Sequence, residues 1–461
     1  MTPQLAASDS PQLARDLDVR HASAIVVGTV IGSGIFLVPA EMMQAVGSAR
    51  LVYLAWVVGG LLSFFGALTY AELGAMKPQA GGEYVYIRDA YGPLGGFLYG
   101  WTWLIIAKPA SIATITTGFV RILETFSVFA FLKNQPAGAP FSITYGQVAA
   151  IAATVVISVL NYIGIRRAGA FQLIFTFLKV GIILAIVFIG FSYGGGNWSH
   201  FRESYTGAKG GFAGFMAALV AALWAYDGWN DLNMVAGEVR KPERNIPIAL
   251  ILGVATVGAL YMLVNAAVQY VLPAASMAHA QRPASDAIAM VMGTAGASIV
   301  SLGMALSMLA TLNGTIMSGA RVPFAMARDR YFFAKLAEVH PRFHTPSAAI
   351  VIQAILAIFL LLIGGSFRQF FSLAIFAEWL FYMIAGSTIF VFRRREPQVP
   401  RPYRVFLYPF VPALFVIASS ILLYYTFTDN VRNSLAGSLV ILAGIPVFFV
   451  FARRRKALNQ F

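Results

Sequence analysis

The chain has 461 residues, of which 59% are hydrophobic and only 11% charged, with a formal net charge of +14. Soluble domains carry roughly 25% charged residues, so this composition cannot cover a water-facing surface and reads as an all-α, polytopic integral membrane protein. There is no cysteine, which excludes disulfides, thiol nucleophiles, cysteine metal sites and any disulfide-linked partner.

In chain order, twelve apolar segments predict twelve transmembrane helices. A polar tail over 1–21 has no short apolar run with a small-residue cleavage site, so no signal peptide is expected. The first span covers 22–46, followed by 50–75, 94–123, 146–163 and 169–191. The next five are 212–237, 246–272, 295–320, 347–364 and 370–392. Spans at 405–427 and 435–452 precede a tail at 453–461. With the N-terminus in the cytoplasm, 23 of the 33 lysines and arginines fall in cytoplasmic segments and 8 outside, while Lys108 and Lys179 lie within spans. That bias predicts both termini in the cytoplasm. It also disposes of the nucleic-acid reading that a strongly basic chain would otherwise invite. Arg453-Arg454-Arg455-Lys456 either touches anionic membrane lipid or holds the last span in place.

The first span is interrupted at Gly32-Ser33-Gly34. Glycine and serine disfavour a continuous helix, and each backbone group stranded in hydrocarbon costs several kcal/mol unless it is satisfied. Such a break is tolerated where the freed groups line a cavity and meet a ligand. The sixth span is interrupted in the same way at Tyr226-Asp227-Gly228-Trp229-Asn230. The breaks are five spans apart, and an odd offset turns the second copy upside down relative to the first. This predicts an inverted repeat, with spans 1–5 and 6–10 as its halves (22–191 and 212–392 within a 22–392 core) and 11 and 12 appended at 405–452.

Beyond the first break, the N–H groups of Ser33, Gly34 and Ile35 would present a positive dipole end that suits a carboxylate. Before it, the carbonyls of Val30 and Ile31 form a negative end. Those of Trp224, Ala225 and Asp227 add to it from the sixth span. An anion binder beside a cation binder describes a zwitterion, so the residues point to an α-amino acid as substrate.

Lys179 lies mid-span in the fifth segment, where a lysine costs on the order of 2.5–3.5 kcal/mol and must find acceptors. Against the first span it could bond the carbonyls of Gly28 and Ile31, with a hydroxyl from span eight such as Ser307. A fixed cation there would occupy a place suited to a sodium ion. Lys108, followed by Pro109 in span three, either lines the pathway, pairs with a carboxylate or marks a structural kink. Asp227 either meets the substrate ammonium or caps the broken helix, and Trp224 just before the break is either a gate or packing. Glu72 and Glu238, near span ends, read as loop-anchoring salt bridges or gate residues. His340 and His344 straddle Pro341 in a loop, which argues against a metal site. There is no phosphate loop, nucleophile elbow or paired-histidine motif, so neither metal, cofactor nor enzymatic chemistry is expected.

Gly28-Thr-Val-Ile-Gly-Ser-Gly-Ile-Phe36 resembles the first-helix motif of the amino acid–polyamine–organocation (APC) superfamily, and Pro78-Gln-Ala-Gly-Gly-Glu-Tyr-Val-Tyr-Ile87 its first cytoplasmic loop. Ala225-Tyr-Asp-Gly-Trp-Asn-Asp-Leu-Asn233 and Lys241-Pro-Glu-Arg-Asn-Ile-Pro-Ile-Ala249 are similar to the L-amino acid transporter (LAT) branch, as are Lys108-Pro109-x-Ser111, Asn313-Gly314 and Arg342-x-x-Thr345-Pro346. The resemblance implies a LeuT-type 5+5 inverted repeat with discontinuous helices 1 and 6, and sodium-independent exchange of neutral L-amino acids. It implies a substrate site of Val30, Ile31, Gly32, Ser33, Gly34, Trp224, Ala225, Asp227 and Asn230. Trp224 would be the gate, and Lys179, with Gly28 and Ser307, would fill the sodium-like position. Animal members of the branch are tethered to a heavy chain through a cysteine in the loop after span three. The corresponding loop, Lys133 to Pro140, has none, so the chain reads as a stand-alone member of the bacterial inner membrane. A proton-coupled symporter of the same fold is the alternative, with Lys179 releasing and rebinding a proton. A cationic amino acid or polyamine antiporter, and a non-transporting sensor without its output domain, rank lower.

Overall fold

A computed structural model describes residues 13–136, 143–363, 367–429 and 431–458. The first twelve residues of the N-terminal tail, the loop after span three from Ala137 to Pro140, and the last three residues lie outside the described residues. Helices are the regular secondary structure of the described residues, with two isolated β-bridges besides.

The first apolar run forms two helices, α1 (Val19–Val30) and α2 (Gly34–Val46), separated by Ile31, Gly32 and Ser33. Asp18 starts α1 by accepting the N–H groups of Arg20 and His21 at 2.9 and 3.1 Å, satisfying two donors that have no partner within the helix. An uninterrupted α3 (Ala49–Met76) follows. After it come α4 (Glu83–Tyr91), α5 (Pro93–Thr102) and α6 (Lys108–Leu123). Between α5 and α6 the backbone widens to a π-turn at Trp103–Ala107. Pro109 explains it, since its ring crowds the carbonyl four residues back and offers no N–H. The first half of the chain ends with α7 (Tyr145–Tyr162) and α8 (Ile165–Phe191).

The sixth apolar run is also broken. Its helix α9 (Gly211–Ala225) stops before a turn at residues 226–230, and only the four-residue α10 (Asp231–Met234) follows. The second half continues with α11 (Pro242–Val271), α12 (Ala274–His279), α13 (Pro283–Gly319) and α14 (Arg321–Arg328). It closes with α15 (Ser347–Ile363), α16 (Phe367–Arg395), α17 (Phe410–Asp429) and α18 (Val431–Leu458). Helix α13 begins twelve residues earlier than the 295 expected from hydropathy, running through a kink at Gly293. Ten helical stretches among the described residues are long and apolar enough to cross a membrane, counting α1 and α2 together; α9 and α15 are shorter apolar helices.

Packing places the two breaks side by side. Helix α1 lies against α8, α11 and α13, and α2 lies against α9. Gly34 makes that approach possible: a Cβ there would stand 2.8 Å from the Ala225 Cα. Gly228 turns the second break with φ +106°, and a Cβ on it would press on Thr29 at 2.8 Å. Two-contact ion pairs tie distant parts of the chain together. Arg321 binds Glu238 through two contacts of 2.7 and 2.9 Å, and Arg393 binds Glu72 at 2.9 and 2.6 Å. Glu72 also accepts the Val405 N–H at 2.7 Å, so it anchors the segment leading to α17, as one of its two sequence readings proposed. The backbone of Leu17 bridges to the chain beyond the second break, donating to the Glu238 carbonyl at 3.0 Å and accepting from the Arg240 N–H at 2.7 Å.

Candidate functional site

A cavity opens between the two breaks. The first break contributes Thr29, Val30, Gly32, Ser33 and Gly34, and the second Trp224, Ala225, Asp227, Gly228 and Asp231. The remaining wall comes from Lys108, Ser111, Thr114 and Ile115 on α6, Met308, Thr311 and Thr315 on α13, and Glu378 on α16. Seven of the nine substrate residues expected from sequence therefore line one cavity. Ile31 and Asn230 do not, and each is turned to another task.

Ile31 faces Lys179. The lysine Nζ donates to the carbonyls of Gly28 at 2.7 Å, Ile31 at 2.6 Å and Ser307 at 3.0 Å, and sits 3.4 Å from the Thr311 hydroxyl. The two helix-1 acceptors are those the sequence pointed to. From span eight, however, Ser307 offers its carbonyl, while its own hydroxyl donates to Ile31 at 3.0 Å. Thr311, absent from the sequence reading, supplies the hydroxyl. Gly28 and Ile31 are at the C-terminal end of α1, where unsatisfied carbonyls make a negative pole. The lysine satisfies these groups.

Asn230, fully buried, donates to Glu83 at 2.5 Å and accepts from the Tyr382 hydroxyl at 3.0 Å. The same hydroxyl lies 2.8 Å from Asp227 Oδ1, so Asn230 and Asp227 share Tyr382, whose one proton goes to one of them at a time.

The dipole ends at the cavity are unequal. At the start of α2, the N–H groups of Ser33, Gly34 and Ile35 have no backbone acceptor among the described residues. The carbonyl side is partly occupied. Tyr261 on α11 lies 2.9 Å from the Val30 oxygen and 2.8 Å from the Ala225 oxygen, and Val30 also accepts from the Gly32 N–H at 2.7 Å. A hydroxyl has one proton, so it can donate to only one of the two carbonyls at a time.

Of the three readings left open for Lys108, two bear on the cavity, and the π-turn before Pro109 meets the third. The lysine lines the cavity, and it pairs with Asp231 at 2.6 Å with both side chains nearly inaccessible. Two more carboxylates, Asp227 and Glu378, share the cavity. Glu378 escaped the sequence reading, although an acidic residue in the middle of a span is the same kind of signal that exposed Lys179. Tyr261 gave no such signal. Among the described residues no group of histidine, aspartate and glutamate side chains is placed to hold a metal ion.

A helix bundle of this apolarity, with a half-polar cavity built where two helices break, defines a multi-pass membrane carrier. Residues 17–451 match the amino acid permease family, and the chain belongs to it, as an APC-superfamily transporter of the LAT branch. It is 33% identical over 448 residues to the serine/threonine exchanger SteT of Bacillus subtilis (strain 168), covering 96% of this chain and 98% of that protein. It is 32% identical over 450 residues to the human b(0,+)-type amino acid transporter 1, covering 95% and 88% of the two chains. Against the human cystine/glutamate transporter the identity is 30% over 442 residues, covering 95% and 86%. These relatives are transporters, not enzymes.

Proposed function

We propose that this amino acid transporter exchanges neutral L-α-amino acids across the bacterial inner membrane without sodium. Both termini would be cytoplasmic, and twelve spans would carry a LeuT-type 5+5 inverted repeat with core residues 22–392. The substrate carboxylate docks on the open N–H groups of Ser33 and Gly34. Its ammonium docks against the Ala225 and Asp227 carbonyls and the Asp227 side chain, with Trp224 closing over it. Tyr261 yields one of its two carbonyls when the ammonium arrives. The adjacency of the two breaks across Gly34 and Ala225 supports the repeat, and the serine/threonine exchange named for the Bacillus relative supports small neutral substrates.

The observation that carries the sodium-independent reading is Lys179. Its Nζ has three carbonyl oxygens within 3.0 Å, the kind of oxygen set a sodium ion would otherwise need. In purified proteoliposomes, labelled serine should enter vesicles preloaded with unlabelled serine and not empty ones, equally well in sodium or potassium. Uptake into empty vesicles that follows an inward proton gradient would replace exchange with proton coupling, with Lys179 as the proton carrier.

A further inference from the structure

We propose that the ends of α14 and α18 together form a binding site for the headgroup of an anionic phospholipid, at the rim of the membrane and outside the substrate cavity.

Two segments far apart in sequence meet there. The apolar stretch that closes with α14 ends at Arg328, and that of α18 ends at Arg455. Aromatic rings hold the two ends together. Tyr331 stacks on Phe448 with ring centroids 5.6 Å apart, and Phe332 and Phe333 pack on Phe451 at 5.2 and 5.1 Å. Arg455 lies over the Tyr331 ring at 4.3 Å. This packing gathers positive charge from both segments, with Arg328, Arg330 and Lys335 on one side and Arg453, Arg454 and Arg455 on the other. All are exposed except Arg455, which is partly buried. Two acidic residues lie in the same stretch. Asp329 is committed, paired with Arg88 and accepting from the Tyr84 hydroxyl at 2.8 Å, and Glu338 is exposed. The surplus is positive.

The apolar neighbours identify the partner. Phe333 is 57% exposed beside these cations, and Phe449 and Val450, just before the arginines on α18, are 52% exposed. At the membrane rim those side chains enter the acyl layer while the longer cations reach the phosphates. A soluble polyanion would meet the charges and leave Phe333 in water. Clusters of lysine and arginine beside a membrane span attract anionic lipid, and arginine matches a phosphate through two parallel N–H bonds. Charges that only orient the spans need to be numerous on one side; they need not converge from two segments. The turn itself is held at a cost, because Arg330 has φ +61°, a region that side chains other than asparagine or aspartate seldom enter.

The test heats the purified full-length protein in neutral detergent with added phosphatidylglycerol, phosphatidylcholine, inorganic phosphate or polyglutamate. Phosphatidylglycerol should raise Tm by about 5 °C, as a ligand of the native state does, and phosphatidylcholine should not. High salt should shrink that shift. The triple variant Arg330→Asn, Arg453→Gln and Arg454→Gln should reduce it to about half or less, with asparagine chosen because it tolerates the positive φ. Equal shifts with the two phospholipids would overturn the site, as would a triple variant that keeps the whole phosphatidylglycerol shift. Inorganic phosphate or polyglutamate matching phosphatidylglycerol would overturn the assignment to a lipid. The wild-type comparison decides the question even if the variant fails to fold, and none of these readings depends on whether the carrier exchanges serine.

Discussion

Two lysines are buried in the helical bundle, and they are stabilised in opposite ways. Lys108 meets a full negative charge, the Asp231 carboxylate at 2.6 Å, with further carboxylates in the same cavity. Lys179 has no carboxylate within ion-pair distance among the described residues; its acceptors are carbonyl oxygens at the end of α1, the Ser307 carbonyl and a hydroxyl. A carboxylate stays on its own side chain when a helix moves, whereas the carbonyl pole exists only while α1 ends where it does. Lys108 is thus set by composition and Lys179 by conformation. The first adds charge to the cavity, and the second is bonded to the end of α1.

The comparison can be broken at each lysine. Removing one partner of a buried pair leaves an uncompensated charge, so Asp231→Ala should lower stability by about 3–5 kcal/mol. The double variant Lys108→Met with Asp231→Ala should recover most of that loss. A double-mutant cycle of unfolding in detergent without a coupling term would show that the pair does not matter. Lys179→Ala should act on rate instead, lowering the exchange rate more than tenfold while serine affinity changes less than threefold. Equal losses in both would deny the lysine its link to helix 1. The smallest effect belongs to the neutral link between the breaks. Tyr261→Phe removes one hydroxyl proton, a hydrogen bond of about 1 kcal/mol, and should change serine affinity by less than tenfold in isothermal titration. A hundredfold loss would mean that Tyr261 is a direct ligand.

Much of this was legible because it violates a simple rule. Gly32-Ser33-Gly34 and Asp227-Gly228 stand out in apolar runs, and Lys179 stands out in an apolar helix. Some helix boundaries followed hydropathy, as α15 over Ser347–Ile363 against an expected 347–364, while α13 and α18 run well past theirs. The sixth span was harder. Its apolar residues continue to Gly237, but the turn at Gly228 ends α9 at Ala225. Ile31 carried two expectations, and the one seen is its carbonyl bond to Lys179; the direction of a carbonyl depends on the backbone angles of the break, here φ −72° and ψ 83°, which a residue type does not encode. Tyr261 is one of 19 tyrosines in the chain and sits in an unremarkable apolar run. Only the fold brings its hydroxyl to two carbonyls that are 195 residues apart in sequence. Glu378 was findable by the rule already applied to Lys179.

The short backbone bridge at Leu17 has a mechanical consequence. Two main-chain hydrogen bonds fasten Leu17, two residues before α1, to Glu238 and Arg240, and Glu238 is in turn clamped by Arg321. A rotation of α1 about its break therefore exerts torque on the stretch after the second break, and through it on α14. One helix cannot swing alone while that clasp holds. The two interrupted helices share a single hinge pin at one end, and the carrier must either turn them together or first undo two hydrogen bonds.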